Sequence, residues 1–188
     1  MELLTAKKGA AHFTSKQFRA FVAAVVGKDS YISGVVEKPE VEILDGNIIR
    51  IPSFMLIHHG GLFLIEAPDD VTYVNGTQGM KRIDLVVARY TKTTEGIEKG
   101  EWIVIPGTPA SANPVIPSYT DGNMQNGDLV DDCPVFQMEF DGLNITNVEC
   151  LVPVMKTLSD KQNQITPVTA MPSDGTGEDG DVCILVES

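Results

Sequence analysis

Basic residues are scarce in this chain. Lys and Arg total 14 against 26 Asp and Glu, which leaves a formal net charge of −12. Proteins that grip a nucleic-acid backbone use clustered Lys and Arg to displace counterions, and no such cluster occurs, so nucleic acid is not an expected partner. Long apolar runs are also lacking. None approaches the roughly 20 residues of a spanning helix, so no membrane insertion is expected. The apolar stretch from Phe18 to Val26 follows Lys7 and Lys8, but His12, Lys16 and Arg19 interrupt it, and no signal peptide is read. Cysteine is limited to Cys133, Cys150 and Cys183, an odd number without Cys-x-x-Cys spacing. That excludes a disulfide framework and a thiolate metal cluster, and leaves small buried side chains in a reducing compartment.

What is present is enough for a core. With 43% hydrophobic residues in 188, and 17 Gly and 11 Pro, the chain reads as one turn-rich globular domain with a small appendage. Thr14-Ser15-Lys16-Gln17 has capping-box form and predicts a helix over 14–27, ended by Gly27. Phe18, Phe21, Val22 and Val25 fall on one stripe of it, which is expected to cover a sheet. Beyond the helix come short β-branched and aromatic runs closed by turn residues. Val41–Leu44 and Ile48–Ile51 flank Asp45-Gly46-Asn47, and Phe54–His58 and Leu62–Glu66 flank Gly60-Gly61. Arg82–Tyr90 can pair with Glu101–Ile105, and Val135–Phe140 with Asn144–Cys150 about Asp141-Gly142.

The expected fold is therefore mainly β, a β-sandwich or barrel-like hairpin domain with one N-terminal helix, spanning 1–157. Residues 158–188 read as a polar linker or arm with a terminal strand at 182–186, able to join a sheet edge of its own chain or of a neighbour.

The candidate chemistry is thin. His58 and His59 are the most tempting metal pair, but neighbours on a strand point to opposite faces, so no metal is expected. His12 has no second group to orient it and reads as a hydrogen-bonded structural residue. Asp69-Asp70 and Asp131-Asp132 suggest paired glycosidase carboxylates only superficially, and their places beside turns read as solvated loop acids. Asn75-Gly76-Thr77-Gln78-Gly79 lacks the Lys of a phosphate loop and reads as a turn. Arg82 and Asp84 share a strand face, where they can pair with each other or with a neighbouring loop. No Ser-His-Asp signature, catalytic residue or cofactor fingerprint is found, and the expectation is a protein that is not an enzyme and needs no cofactor.

The ordered series His12-Phe13-Thr14-Ser15, Asn47–Ile51 and Asn75–Tyr90 resembles a recurring phage family, the N-terminal region of tail-tip, baseplate and receptor-binding structural proteins from phages and prophages of Gram-positive bacteria. Val104–Pro109, Gly127-Asp128, Pro134–Met138 and Leu143–Glu149 continue it in order, so that it spans roughly residues 9 to 155. The resemblance implies a virion component made in the bacterial cytoplasm, acting through assembly with other tail or baseplate proteins and through host attachment. It also implies a homo-oligomer, with a trimer as the expected number. Longer members carry host adhesion in variable regions after this part. A second reading, from another class, is a carbohydrate-binding module for cell-wall or other glycans, with Trp102 and Tyr119 as stacking faces, although Trp102 within an apolar strand reads better as a core residue.

Overall fold

The computed structural model describes residues 14–34, 37–156, 165–168 and 182–185. The chain divides into two compact units, Met1–Val154 and Met155–Ser188.

The first unit opens with helix α1 (Ser15–Val26). The Thr14 hydroxyl accepts from the Gln17 amide at 3.2 Å, and the Gln17 side chain accepts from the Thr14 amide at 2.9 Å, the reciprocal pair that the sequence predicts. At its other end Gly27 takes φ 103° and donates its N–H to Ala23, and a Cβ there would press on the Tyr31 hydroxyl.

Ten strands follow: β1 (Tyr31–Ser33), β2 (Glu42–Leu44), β3 (Ile48–Ile51), β4 (Phe54–His58), β5 (Gly61–Ile65), β6 (Asp69–Thr72), β7 (Lys81–Lys92), β8 (Glu98–Ile105), β9 (Val130–Asp141) and β10 (Asn144–Cys150). They form three antiparallel sheets, ordered β1-β4-β5, β2-β3-β6 and β10-β9-β7-β8. Every predicted hairpin is present, and the architecture is sandwich-like, with no closed barrel among the described residues. No described helix is long and apolar enough to cross a membrane.

One core joins the three sheets. Ile32, Leu56, Phe54 and Ile65 of the first sheet and Ile49 and Ile51 of the second meet Val86, Ala88, Cys133, Phe136, Met138 and Phe140 of the third. Along β7 the residues at 82, 84, 86, 88 and 90 are all buried on this inner face. Strand β9 keeps step only through a bulge: Val86 lies opposite Phe136 but Val87 lies opposite Pro134, so Val135 is an extra residue. Proline lacks the N–H a ladder requires, and a bulge is where a central strand can hold one.

The helix departs from expectation. Phe18, Phe21 and Val25 are 45, 61 and 68% exposed, and the one buried residue of α1 is Arg19. Arg19 donates to Glu98 of β8 at 2.9 Å and to Gln125 at 3.3 Å, while Gln125 donates back to the Lys16 carbonyl. Gly60 lies so close to the Arg19 carbonyl and Ala23 that any side chain there would collide with the helix. The helix is thus held on its polar and small-residue side, and its apolar stripe faces outward.

In the second unit β11 (Ile165–Val168) and β12 (Val182–Leu185) pair in parallel, Ile165 opposite Val182 and Val168 opposite Leu185. The terminal strand therefore has a partner in its own chain, inside the stretch that the sequence reads as linker. His12 lies outside the described residues.

Two substitutions separate core from surface. Phe136→Ala should cost about 3–5 kcal/mol in urea unfolding, whereas Phe21→Ala, measured at a protein concentration where the chain is monomeric, should stay within about 0.5 kcal/mol. A large loss for Phe21→Ala would place the stripe back in a core.

Candidate functional site

The densest polar cluster lies at one end of the inner face, where β4, its turn into β5, and β9 meet. His58 closes β4 and pairs with Gly61, so the turn residues are His59 and Gly60, at φ 47° and 79°. Two consecutive positive φ values make the type I′ turn that suits the twist of a hairpin. The turn is one residue earlier than Gly60-Gly61 suggests, because Gly61 is claimed by close packing and a Cβ there would strike the Met124 sulfur. This shift corrects the reading of the two histidines. Alternation to opposite faces holds only within a strand, and His59 has left it, so the rings lie 4.0 Å apart and turn toward the same carboxylate.

That carboxylate is Asp131, which is fully buried. It accepts from His58 Nε2 at 3.1 Å, from His59 Nδ1 at 2.8 Å and from the Met124 backbone N–H at 2.9 Å. Burial by itself would raise the Asp131 carboxyl, but the two histidines and the amide outweigh it and hold the group down at about 2. A carboxylate only accepts, so His58 carries its proton on Nε2 and its Nδ1 accepts from the Ser30 hydroxyl, 2.7 Å away. The neighbouring Cys133 thiol is pushed up to about 12, chiefly by burial, and behaves as an inert core residue.

Ser30, His58 and Asp131 therefore touch in series, although no such signature is visible in the sequence. The imidazole is only 5% exposed, and the hydroxyl–imidazole contact is part-buried. A nucleophilic serine needs an open cleft beside its base. The contacts with Ser30 and Asp131 fix the ring of His58 from both sides.

A second cluster adjoins the first. Tyr90, opposite Gly100 on the same face, donates to Glu98 at 2.9 Å, and Arg19 binds the other Glu98 oxygen. Desolvation first, and then the Glu98 hydrogen bond, raise the Tyr90 phenol to about 12. The Glu98 carboxyl, which burial would raise, is instead held below its usual range by Arg19 and Tyr90.

The remaining sequence candidates separate cleanly. Asp132, read as a solvated loop acid together with Asp131, is 2% exposed in β9 on the opposite face. It accepts both arms of Arg89 at 2.7 and 2.8 Å and the Thr120 N–H at 2.9 Å. Asp69 and Asp70 are exposed, as the sequence suggests, but they lie in β6. There Asp70 pairs with Arg50 at 2.7 Å and Asp69 accepts from the Trp102 indole at 3.2 Å. Arg82 does what its strand position predicts twice over, pairing with Asp84 at 2.7 Å and donating to the Val74 and Asn75 carbonyls. Asp84 in turn accepts from the Gly107 N–H at 2.9 Å. Trp102 is half-buried and packs edge-on against Phe54, with its centroid 6.3 Å from Phe136, so it belongs largely to the core.

No protein-family model matches the chain, and no curated protein matches it.

The depressed Asp131 carboxyl has a signed consequence. A group whose folded value lies below its unfolded value stabilises the fold above the unfolded value and loses that contribution as pH falls through the folded one. For Asp131 the window runs from the ordinary 3.8 down to about 2. Asp131→Asn should cost on the order of 3 kcal/mol at pH 7, because the buried donors lose an ionised acceptor. In urea titrations the gap between the two proteins should close between about pH 4 and pH 2. A gap that persists unchanged at pH 2 would mean that Asp131 is not the titrating group.

Proposed function

We propose that this chain is a non-enzymatic structural component of a phage or prophage tail or baseplate, which works by protein–protein assembly in the virion. The observation that carries the reading is the outward stripe of α1. Phe18, Phe21, Val22 and Val25 keep the 3-4 spacing of a helix–helix seam. The helix reaches its own body through Arg19, so the apolar side is left for another chain.

The occupant we favour is a second copy of the same chain. Residues 14–28 contain no Asp or Glu in a protein of net charge −12, so copies meet least repulsion here. A closed ring of such helices, a trimer by the family resemblance, would also hide the seam from open-ended association. The stripe supplies what the terminal strand was expected to supply, since β12 pairs with β11.

The ordered motifs of the resemblance also fall at points of structural need. Gly76 lies against the Gly142 carbonyl, Gly107 lies against the Ile83 carbonyl, and Arg82 with Asp84 binds both loops to β7. These are the parts of a scaffold, and they support assembly over catalysis. The glycan-binding reading draws less support, because the Trp102 ring is packed against Phe54 and Phe136 and its N–H is engaged by Asp69.

Light scattering after gel filtration tests the proposal. The intact chain should run as a defined oligomer, and the double substitution Phe21→Asp with Val25→Asp should give a monomer that keeps its folded circular-dichroism spectrum and whose melting temperature no longer depends on protein concentration. A monomeric parent protein, or an oligomer indifferent to both substitutions, would end the reading.

A further inference from the structure

We propose that His58, His59 and Asp131 form a binding site for a divalent transition-metal ion of the zinc type. The ligands are His58 Nε2, His59 Nδ1 and one Asp131 oxygen, and a fourth position is open to water. The inference is independent of the assembly role.

The donor set is the first argument. Two imidazoles and a carboxylate are the usual protein ligands of a three-ligand zinc centre, whose fourth place is taken by solvent. Their ligand atoms all lie within 4.8 Å of one another, with His58 Nε2 and His59 Nδ1 at 3.1 and 2.8 Å from the carboxylate oxygens. Metal–ligand bonds of about 2.0–2.1 Å in a tetrahedron set donors about 3.3 Å apart, a spacing that lies within the 4.8 Å now enclosing the three donor atoms and is reached by small side-chain adjustments.

Preorganisation is the second. His59 is held in the left-handed region at φ 47°, a conformation uncommon for a residue with a side chain, and that conformation aims its Nδ1 at Asp131. Asp131 reaches the same point from β9, and both anchors are independent of the ion.

The third argument is the surrounding shell. A metal-bound imidazole ordinarily donates its other N–H to a neighbour that fixes the ring. Ser30 Oγ sits 2.7 Å from His58 Nδ1 and, being a hydroxyl, can accept that proton as readily as it now donates. The Met124 N–H occupies Asp131 Oδ2 and so leaves Oδ1 free to ligate. On binding, each neutral imidazole moves its proton to its other ring nitrogen, so the exchange releases no proton. Access is provided on the His59 side by a pocket between α1 and the loop, lined by Ala20, Ala23, Ala24, Lys28, Asn123, Gln125 and Asn126. Apart from Lys28, whose ammonium lies on a long flexible stem, these side chains are small or neutral amides and leave room for a hydrated ion.

The test uses the intact chain, stripped with a chelator and titrated calorimetrically with Zn(II), with Co(II) absorption as a second readout. One equivalent should bind, and Co(II) should give the intense visible bands of a tetrahedral site. His59→Gly removes a ligand while suiting the positive φ of the turn, so the fold is preserved. It should weaken binding by more than the 10–100-fold typical of losing an outer-shell partner, whereas Ser30→Ala should fall within about that range. No saturable binding in the parent protein would overturn the proposal. So would binding of equal strength in His59→Gly, which would assign the ion to other groups of the chain.

Discussion

One extra residue in β9 decides where the charges of this protein go. Side chains alternate along a strand, and a one-residue slip sends every following side chain to the other face. The bulge at Val135 makes that slip once, between Phe136 and Pro134. Beyond it, Cys133 and Asp131 share the inner face with Ala88 and Tyr90, and Asp132 lies opposite Arg89 on the outer one. Without the bulge Asp131 would face away from the histidines and Asp132 would be driven inward without its arginine. Two adjacent acids could not both be buried unless each met its own base on its own side, and the bulge is what aligns them.

The long segment after β8 exploits this alignment. Thr120 accepts the Asp132 backbone N–H and donates its own to the Asp132 carboxylate, and Met124, four residues on, donates to Asp131. A short irregular stretch is thereby secured to both faces of one strand. The Met124 side chain then settles over Gly61, which is why that hairpin position tolerates no side chain. Buried pairs of this kind give little net stability over a well-packed apolar alternative, because desolvation offsets most of the attraction. Their effect is on uniqueness. Arg82 with Asp84, Arg89 with Asp132, Arg19 with Glu98 and the histidines with Asp131 each join defined positions, and a mispaired sheet would leave several buried carboxylates without their donors.

Local features were legible in the sequence and long-range ones were not. The capping box, the hairpins and the Arg82–Asp84 pair depend on residues within about ten positions, where turn chemistry and strand alternation decide the outcome. The errors at His59, Asp131 and Asp132 share a different cause. Whether the turn began at His59 or Gly60 hinged on Met124, some sixty positions away, which claims Gly61 for close packing. Whether Asp131 and Asp132 were solvated hinged on histidines and an arginine more than forty positions distant. Pro134 was the one local signal of the bulge, since a proline in a run that otherwise reads as a central strand asks for one.

The helix shows most clearly how a periodic pattern can be right about structure and wrong about direction. Periodicity reports that one side of a helix is apolar, and in a lone domain that side turns to the core because nothing else can take it out of water. Here the inward side carries an arginine whose guanidinium meets a buried glutamate and lies 5.8 Å from the Tyr90 ring, a polar contact no hydrophobicity pattern anticipates. The apolar side then faces outward, with Phe18, Phe21 and Val25 all exposed. The same logic extends to the sandwich as a whole. Asp84, Asp131 and Asp132 are buried in it, while several large apolar side chains, among them Phe21, Val25, Leu64 and Val115, stand more than half exposed. A fold that buries carboxylates beside their donors ties each strand to one register, and does so whether or not its apolar groups lie inside.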